Sequence, residues 1–207
     1  MGDPVAAAKI IAKNETKQID IGRAFGDKYF INIAAAGTLT ELTFSVPSEL
    51  KTRLGYLAYV AKGFEMFPKS KARPVRIYHD WGIFTGEVSL VFVALTNSIG
   101  GFEQFAPDTK LDDGNFTLIL VKTDKILDML SLLVQAMNGG QHVSDANVEY
   151  LKTSKLRIET LDQEEPFMLN LDGEYGGDTP VDLEVCHNHI EFFVNREAID
   201  QGIIHEI

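Results

Sequence analysis

The sequence has little cysteine, no long apolar run and fewer basic than acidic residues. Its 207 residues include one cysteine, Cys186, so no disulfide can form within the chain, and we expect a reducing, cytoplasmic environment. The apolar run of residues 6–12 is interrupted by Lys9, and no segment has the pattern of a signal peptide or a membrane span. The net charge of -11 argues against nucleic-acid binding as the main activity.

Short strand-like segments make up most of the chain and predict a mainly β fold, either a sandwich or a barrel, with added helices. An amphipathic stripe predicts a helix over residues 47–67, and Asp3 and Asp124 are the predicted N-caps of two more helices. Those two helices cover residues 4–13 and 124–138. The predicted strands cover residues 16–21, 28–34, 116–121, 155–161 and 167–171, two or three strands within 74–95, and a final hairpin that pairs 181–185 with 190–194.

Two carboxylates lie on a glycine-rich turn in the last quarter of the chain. Asp172 and Glu174 are two residues apart in the segment D-G-E-Y-G-G of residues 172–177, directly after a predicted strand. Glycine lets the backbone approach a ligand closely, and paired carboxylates on such a turn suit metal binding or proton abstraction. From the spacing alone, an acidic hairpin turn is the more common explanation, because Asp-Gly is a frequent turn dipeptide.

Four segments, in order along the chain, resemble motifs of the bacterial soluble diacylglycerol kinases and their lipid-kinase relatives. They are N-I-A-A-A-G at residues 32–37, T-N-S-I-G-G at 96–101, A-P-D-T-K-L-D-D-G at 106–114 and D-G-E-Y-G-G at 172–177. Each is weak alone, but the ordered set extends the resemblance over about residues 19–194. The resemblance implies a mainly β, two-sheet β-sandwich with two or three helices, the C-terminal domain of the lipid/NAD kinase-like fold.

These kinases carry an upstream G-G-D-G-T segment that binds the phosphates of ATP, and this sequence contains no such segment. The resemblance therefore implies the C-terminal part of a kinase that converts diacylglycerol to phosphatidate, with ATP bound mainly by a missing N-terminal domain. We expect residues 1–15 to be a remnant of the domain boundary, 16–195 to form the β-sandwich domain, and 196–207 to return to the missing domain. We also expect the chain alone to have no kinase activity.

The resemblance also assigns roles to single residues. Glu174 matches the family's general base, which takes the proton from the primary hydroxyl of the lipid, and Asp172 would orient Glu174 or join a metal and water network. The loop of residues 110–115 matches a structural Mg²⁺ site, with Asp113 as carboxylate ligand and Lys110 and Asn115 as ligands through their backbone carbonyls. Without the resemblance, an ordinary Asp-Asp-Gly turn would be the preferred interpretation of this loop.

A basic cluster accompanies the predicted helix of residues 47–67 in this otherwise acidic chain. Lys62 matches the family's lysine for the lipid headgroup, and Lys69 and Lys71 follow it closely. Basic residues attract a protein to an anionic bilayer, so we expect peripheral attachment at the inner face of the membrane. The alternative is a solvated helix face, which is the stronger explanation for the lysines other than Lys62.

Two further segments receive simpler interpretations. The segment C-H-N-H at residues 186–189 offers His187 and His189 but no fourth ligand for zinc, and its spacing predicts a turn. Trp81, in the segment H-D-W-G, is predicted to be an aromatic residue of a hairpin.

Other functions stay open at this point. The kinase could act on a sphingoid base or on phosphatidylglycerol, because no residue identifiably contacts the acyl chains or the headgroup. The chain could instead be a non-catalytic β-sandwich that binds a lipid or a metal. Whether it forms a homodimer is also open.

Overall fold

The computed structural model describes residues 3–37, 71–98, 104–162 and 166–196. Helix α1 (Pro4–Lys13) begins at Asp3, whose Oδ1 accepts a 2.9 Å hydrogen bond from the N–H of Val5, as predicted. The predicted helix over residues 47–67 lies outside the described residues, and so do Lys62 and Lys69. None of the helices within the described ranges is long and apolar enough to span a membrane.

The described residues contain twelve strands, numbered in chain order, which form two sheets in which all neighbouring strands are antiparallel. The first sheet contains β1 (Thr16–Ala24), β2 (Lys28–Phe30), β4 (Arg73–His79), β5 (Gly82–Val88), β9 (Lys155–Thr160) and β12 (Val181–Phe193). Their order across the sheet is β2-β1-β12-β9-β4-β5. The strands β4 and β5 form the predicted hairpin that carries Trp81 at its tip.

The second sheet contains β3 (Ile33–Gly37), β6 (Leu90–Ala94), β7 (Phe116–Val121), β8 (Val148–Thr153), β10 (Met168–Leu171) and β11 (Glu174–Asp178). Their order across the sheet is β11-β10-β3-β6-β7-β8. The segment 74–95 therefore contains the predicted strands, but they divide between the two sheets.

The two sheets pack face to face around one apolar core. Val75, Ile77 and Leu183 face inward from the first sheet, and Val91 and Leu118 face them from the second. Apolar side chains at alternate positions of both sheets are the pattern of a β-sandwich. The predicted mainly β, two-sheet sandwich is thus confirmed.

A second apolar cluster covers the outer face of the second sheet. Helix α2 (Ile126–Met137) packs Met129 and Leu132 against Ile119 and Val121 of β7. Because β7 has the core on one side and α2 on the other, all six of its residues are buried. A short 3-10 helix (Gln141–Ser144) follows α2.

Two predictions about single elements are wrong, and two strands lie outside the predicted set. The run of residues 28–34 is two strands in different sheets, because the chain crosses between the sheets at residues 31–32. Asp124 does not cap α2: Lys125 occupies the N-cap, and the Thr123 hydroxyl accepts a 3.2 Å hydrogen bond from its N–H. The strands β8 and β11 lack a strong alternating pattern and were not predicted.

The predicted final hairpin is also wrong, because residues 181–193 form one strand, β12. Its pairing with β1 jumps from Ile19–Ile190 to Ile21–Cys186, so three residues of β12 bulge out opposite the single residue Asp20. Asn188 has a φ of 49° in this bulge, which explains why the local sequence is typical of a turn.

Candidate active site

The D-G-E segment forms the tight turn between β10 and β11. Leu171 pairs with Glu174, and the two residues between them, Asp172 and Gly173, have φ values of 50° and 99°. Two positive φ values in a two-residue loop match the right-handed twist of the flanking strands, and glycine adopts one of them without strain. The side-chain oxygen of Asn170 accepts a 2.7 Å hydrogen bond from the N–H of Gly173, which fixes the turn further.

The carboxylate of Asp172 is held by three backbone N–H groups from the chain crossing between the sheets. Ile31, Asn32 and Ile33 donate to it at 2.6, 2.9 and 2.8 Å. In return, the N–H of Asp172 donates to the carbonyl of Ile33 at 3.0 Å. Hydrogen bonds to an ionised acceptor are stronger than neutral ones, so this carboxylate fastens the turn to the first motif.

Glu174 occupies a different environment from Asp172. It is the first residue of β11, its side chain is exposed, and no hydrogen bond to it is found within the described residues. The two carboxylates of the motif therefore divide their roles: Asp172 fixes the backbone, and Glu174 presents a carboxylate to the solvent side of the turn. The spacing alone does not distinguish the two carboxylates, whereas the resemblance assigns Glu174 as the base and Asp172 as the residue that orients it or joins a metal and water network.

Lys28, which the sequence patterns did not single out, lies directly beside this turn. Its Nζ is 2.5 Å from the carbonyl oxygen of Gly176, and it stands 5.7 and 5.8 Å from the ring centres of Phe25 and Tyr175. The Tyr175 hydroxyl donates to Asp178, and this bond raises the pKa of Tyr175 above its usual value. The Lys28 ammonium therefore contacts the backbone at Gly176, two residues after Glu174 in the chain.

The second motif meets the first at Asn32. The Thr96 hydroxyl donates to the side-chain oxygen of Asn32 at 2.6 Å, and the N–H of Leu95 donates to the Asn32 carbonyl at 2.9 Å. A cavity of about 330 Å³ opens beside this contact. Its walls combine polar groups of Lys17, Asn32, Thr96 and Ser98 with the apolar side chains of Ile19, Ile31, Leu111, Phe192, Phe193 and Val194.

The third motif is anchored by Asp20, another residue that the sequence patterns missed. Its side chain is fully buried, and its two oxygens accept hydrogen bonds from the N–H groups of Gly114 and Asn188, both at 2.7 Å. The Nδ1 of His187 lies 2.8 Å from the same carboxylate. The segment 186–189 thus lies in the bulge of β12 opposite Asp20, rather than in the predicted turn.

The predicted magnesium loop is stabilised by its own side chains and by Lys152. Asp113 accepts a 3.0 Å hydrogen bond from the N–H of Asn115 through one oxygen and lies 2.5 Å from the Nζ of Lys152 through the other. One carboxylate and two backbone carbonyls are oxygen ligands that suit Mg²⁺. The donor set fits the ion, although the ammonium of Lys152 neutralises the carboxylate in this state.

Clusters of ligating side chains, carboxylates included, do not add a metal site in the described part of the chain. No group of three or more His, Cys, Asp or Glu side chains that could hold a metal occurs within the described ranges. The proposed ligand Lys110 is exposed and would act only through its carbonyl. Lys71 is also exposed, and it is the one residue of the predicted lipid-headgroup set that falls within the described residues.

Strand register brings described residues of all four motifs to one end of the second sheet. Leu171 pairs with Ala34, Ile33 pairs with Ala94, and Ala94 pairs with Thr117. The D-G-E turn, the start of β3, the end of β6 and the loop before β7 consequently form one continuous edge. We define this edge as the motif end of the sandwich.

The family model of the YegS C-terminal NAD kinase beta sandwich-like domain matches residues 42–194. The chain belongs to this family. It is similar to the diacylglycerol kinase of Bacillus subtilis, with 41% identity over 199 residues, covering 96% of this chain and 64% of the relative. It is also similar to a diacylglycerol kinase of Staphylococcus aureus, with 39% identity over 202 residues, covering 98% of this chain and 62% of the relative.

Solved structures support the same fold. One structure from Bacillus anthracis has a TM-score of 0.72 at 26% identity, covering 92% of this chain and 61% of that chain. The crystal structure of a diacylglycerol kinase from the same organism has a TM-score of 0.61 at 21% identity, covering 92% of this chain and 58% of that chain. The chain therefore spans less than two thirds of the length of these relatives.

Proposed function

We propose that this chain is the C-terminal β-sandwich domain of an ATP-dependent lipid kinase that converts diacylglycerol to phosphatidate. The names of the relatives support the reaction, and their greater length supports a further domain that binds the nucleotide. In this proposal, residues 1–15 lie at the domain boundary, 16–195 form the sandwich, and 196–207 return to the other domain. The chain alone would then be inactive.

The observation that carries the proposal is the contrast between Asp172 and Glu174. Three N–H groups hold Asp172, whereas no hydrogen bond to the exposed side chain of Glu174 is found within the described residues. A carboxylate is a suitable general base only if its position is fixed relative to the proton that it takes. Asp172 is therefore a positioning residue, and Glu174 is the proposed base.

The proposed reaction transfers the γ-phosphoryl group of ATP to the primary hydroxyl of diacylglycerol. The primary hydroxyl oxygen of the lipid bonds to the γ-phosphorus of ATP, the bond from that phosphorus to the bridging oxygen breaks, and ADP leaves. The hydroxyl proton passes to the carboxylate of Glu174. When bound, ATP supplies the phosphoryl group, and magnesium would neutralise charge on its phosphates.

Two further parts of the proposal concern binding. Asp113, with the carbonyls of Lys110 and Asn115, would hold a structural Mg²⁺. Lys62, Lys69 and Lys71 would contact anionic headgroups, so that the kinase attaches peripherally to the inner face of the membrane.

A substitution in the full-length kinase tests the proposed base. Glu174→Gln keeps the size of the side chain but removes its basicity, so kcat for diacylglycerol should fall by roughly a hundredfold or more. Asp178→Asn, at the other end of β11, is the matched control and should retain most activity. Turnover by Glu174→Gln close to that of the unchanged kinase would contradict the proposal and would favour a non-catalytic binding domain.

A further inference from the structure

The hairpin between β4 and β5 exposes the largest apolar side chain in the protein. Trp81, the single tryptophan of the sequence, is 80% exposed at the tip, and Ile83 beside it is 60% exposed. Isolated exposed apolar residues are common, but two large ones on a projecting hairpin form a candidate contact surface.

Hydrogen bonds fix this tip in place. The carboxylate of Asp80 accepts bonds from the N–H and hydroxyl of Ser154 at 2.6 and 2.8 Å, and from the Thr153 hydroxyl at 3.0 Å. The indole N–H of Trp81 donates to the carbonyl of Lys152 at 2.8 Å. Because the polar atom of the indole is already paired, the ring can enter an apolar environment without leaving an unsatisfied donor.

The tip lies at the motif end of the sandwich. Lys152, which holds the indole, pairs with Thr117, and Thr117 pairs with Ala94 in the row that leads to the D-G-E turn. Four strand spacings separate β8 from β10, which corresponds to about 19 Å. A flat surface that contacts Trp81 would therefore face the same end of the molecule as Glu174.

A groove with basic residues adjoins the tip. It has a volume of about 660 Å³, and His79 and Lys155 line the side nearest the hairpin. The two acidic residues of its lining are already paired, Glu184 with Arg23 and Asp182 with Arg157. The exposed Lys155 provides a cation at this groove, one residue from Ser154, which donates to the carboxylate of Asp80.

We propose that Trp81 and Ile83 enter the boundary between headgroups and acyl chains of an anionic bilayer, with Lys155 contacting lipid phosphate. Tryptophan favours this boundary, and lysine near it contributes electrostatic attraction. The inference rests on the proposed function, since diacylglycerol stays within the bilayer and the kinase has to reach it there. None of the residues of this surface belongs to the predicted basic cluster of Lys62, Lys69 and Lys71.

Because Trp81 is the single tryptophan, its fluorescence reports on this surface directly. Vesicles of phosphatidylglycerol and phosphatidylcholine should shift its emission to the blue, and lipids brominated on the acyl chain should quench it. Unchanged emission, with or without co-sedimentation of the 207-residue chain, would overturn the proposal. Emission that is already blue-shifted in buffer, together with the mass of a dimer, would assign the surface to a second copy and would also overturn it.

Co-sedimentation of substituted chains with vesicles provides an independent test, because it measures how strongly each variant partitions onto the bilayer. Trp81→Ala should weaken partitioning roughly tenfold, which corresponds to about 1.4 kcal/mol. Leu127→Ala is the matched control, because Leu127 is 79% exposed but lies in the first turn of α2, which follows the other end of β7. Lys155→Glu should weaken partitioning only when phosphatidylglycerol is present. Equal partitioning of the Trp81 and Leu127 variants would overturn the proposal.

These measurements require no turnover, so they are separate from the test of Glu174. If vesicles do not shift the emission of Trp81, the proposed membrane contact of Trp81 and Ile83 is wrong, but the kinase proposal is unaffected. Conversely, an active Glu174→Gln enzyme would remove the proposed base and leave a vesicle-dependent Trp81 signal intact.

Discussion

The carboxylate of Asp172 accepts a 2.9 Å hydrogen bond from the backbone N–H of Asn32, 140 positions earlier in the chain. Asn32 begins the first of the four motifs, and Asp172 begins the last. Ile31 and Ile33 donate to the same carboxylate, so the turn that carries Glu174 is fixed to the point where the chain crosses between the sheets. The side chain of Asp172 therefore connects the first and the last motif directly.

Asp172→Asn should therefore destabilise the domain and reduce activity of the full-length kinase. The amide loses the negative charge and one of the two acceptor oxygens, so the free energy of unfolding should fall by about 2 kcal/mol. In the proposed mechanism Asp172 positions Glu174, so kcat should fall while KM for the lipid changes little. Urea unfolding of the 207-residue chain and steady-state kinetics of the full-length kinase measure the two effects.

Asp178→Asn is the control for this substitution. Asp178 is an exposed carboxylate of the same hairpin that accepts one hydrogen bond, from the Tyr175 hydroxyl at 2.9 Å. Its substitution should change the free energy of unfolding by about 0.5 kcal/mol or less. Equal midpoints of unfolding for the two variants would show that the three N–H bonds to Asp172 add no stability.

Elements determined by neighbouring residues could be predicted from the sequence, whereas contacts between distant residues could not. Residues 116–121 form β7 with the predicted bounds, because a run of six apolar and β-branched residues suits a strand that is buried on both faces. The D-G-E segment likewise forms the predicted turn. By contrast, Asp20 contacts Gly114 across 94 positions, and Lys152 contacts Asp113 across 39. No local pattern indicates such contacts, so the bulge in β12 and both anchoring residues were missed.

Gly37, the glycine that ends the first motif, has a structural explanation. Its φ is 120°, and a Cβ atom there would lie 2.2 Å from the carbonyl oxygen of Ser89, the residue between β5 and β6. Backbone cannot move aside as a flexible side chain can, so Gly37→Ala should lower the free energy of unfolding by about 3 kcal/mol or more. Thermal or urea unfolding of the chain measures this loss.

Gly26→Ala is the control that measures the cost of a positive φ without the cost of a steric clash. Gly26 also has a positive φ, 84°, but no atom lies within 4 Å of the position that a Cβ would take. Its substitution should cost about 1 kcal/mol, the conformational part alone. If Gly37→Ala is no more destabilised than Gly26→Ala, the close approach of β3 to Ser89 does not explain the motif glycine.

Lys152 gives a direct test of the proposed magnesium loop. Its ammonium lies 2.5 Å from the carboxylate of Asp113, where it opposes a second cation. Lys152→Met removes that charge and should tighten Mg²⁺ binding roughly tenfold, whereas Asp113→Asn should abolish it. Calorimetric titration measures the affinity, and the Mg²⁺-dependent rise in melting temperature provides a second measure because the ion would bind the folded state.

Lys122→Met is the matched control, because Lys122 pairs with Glu149 at 3.2 Å at the other end of β7 and β8. Removing this lysine changes the net charge by the same amount but leaves Asp113 untouched. If Lys122→Met tightens Mg²⁺ binding as much as Lys152→Met does, the effect comes from overall charge. A Lys152→Met chain that binds no Mg²⁺ would instead show that Asp113 and the carbonyls of Lys110 and Asn115 do not form the site.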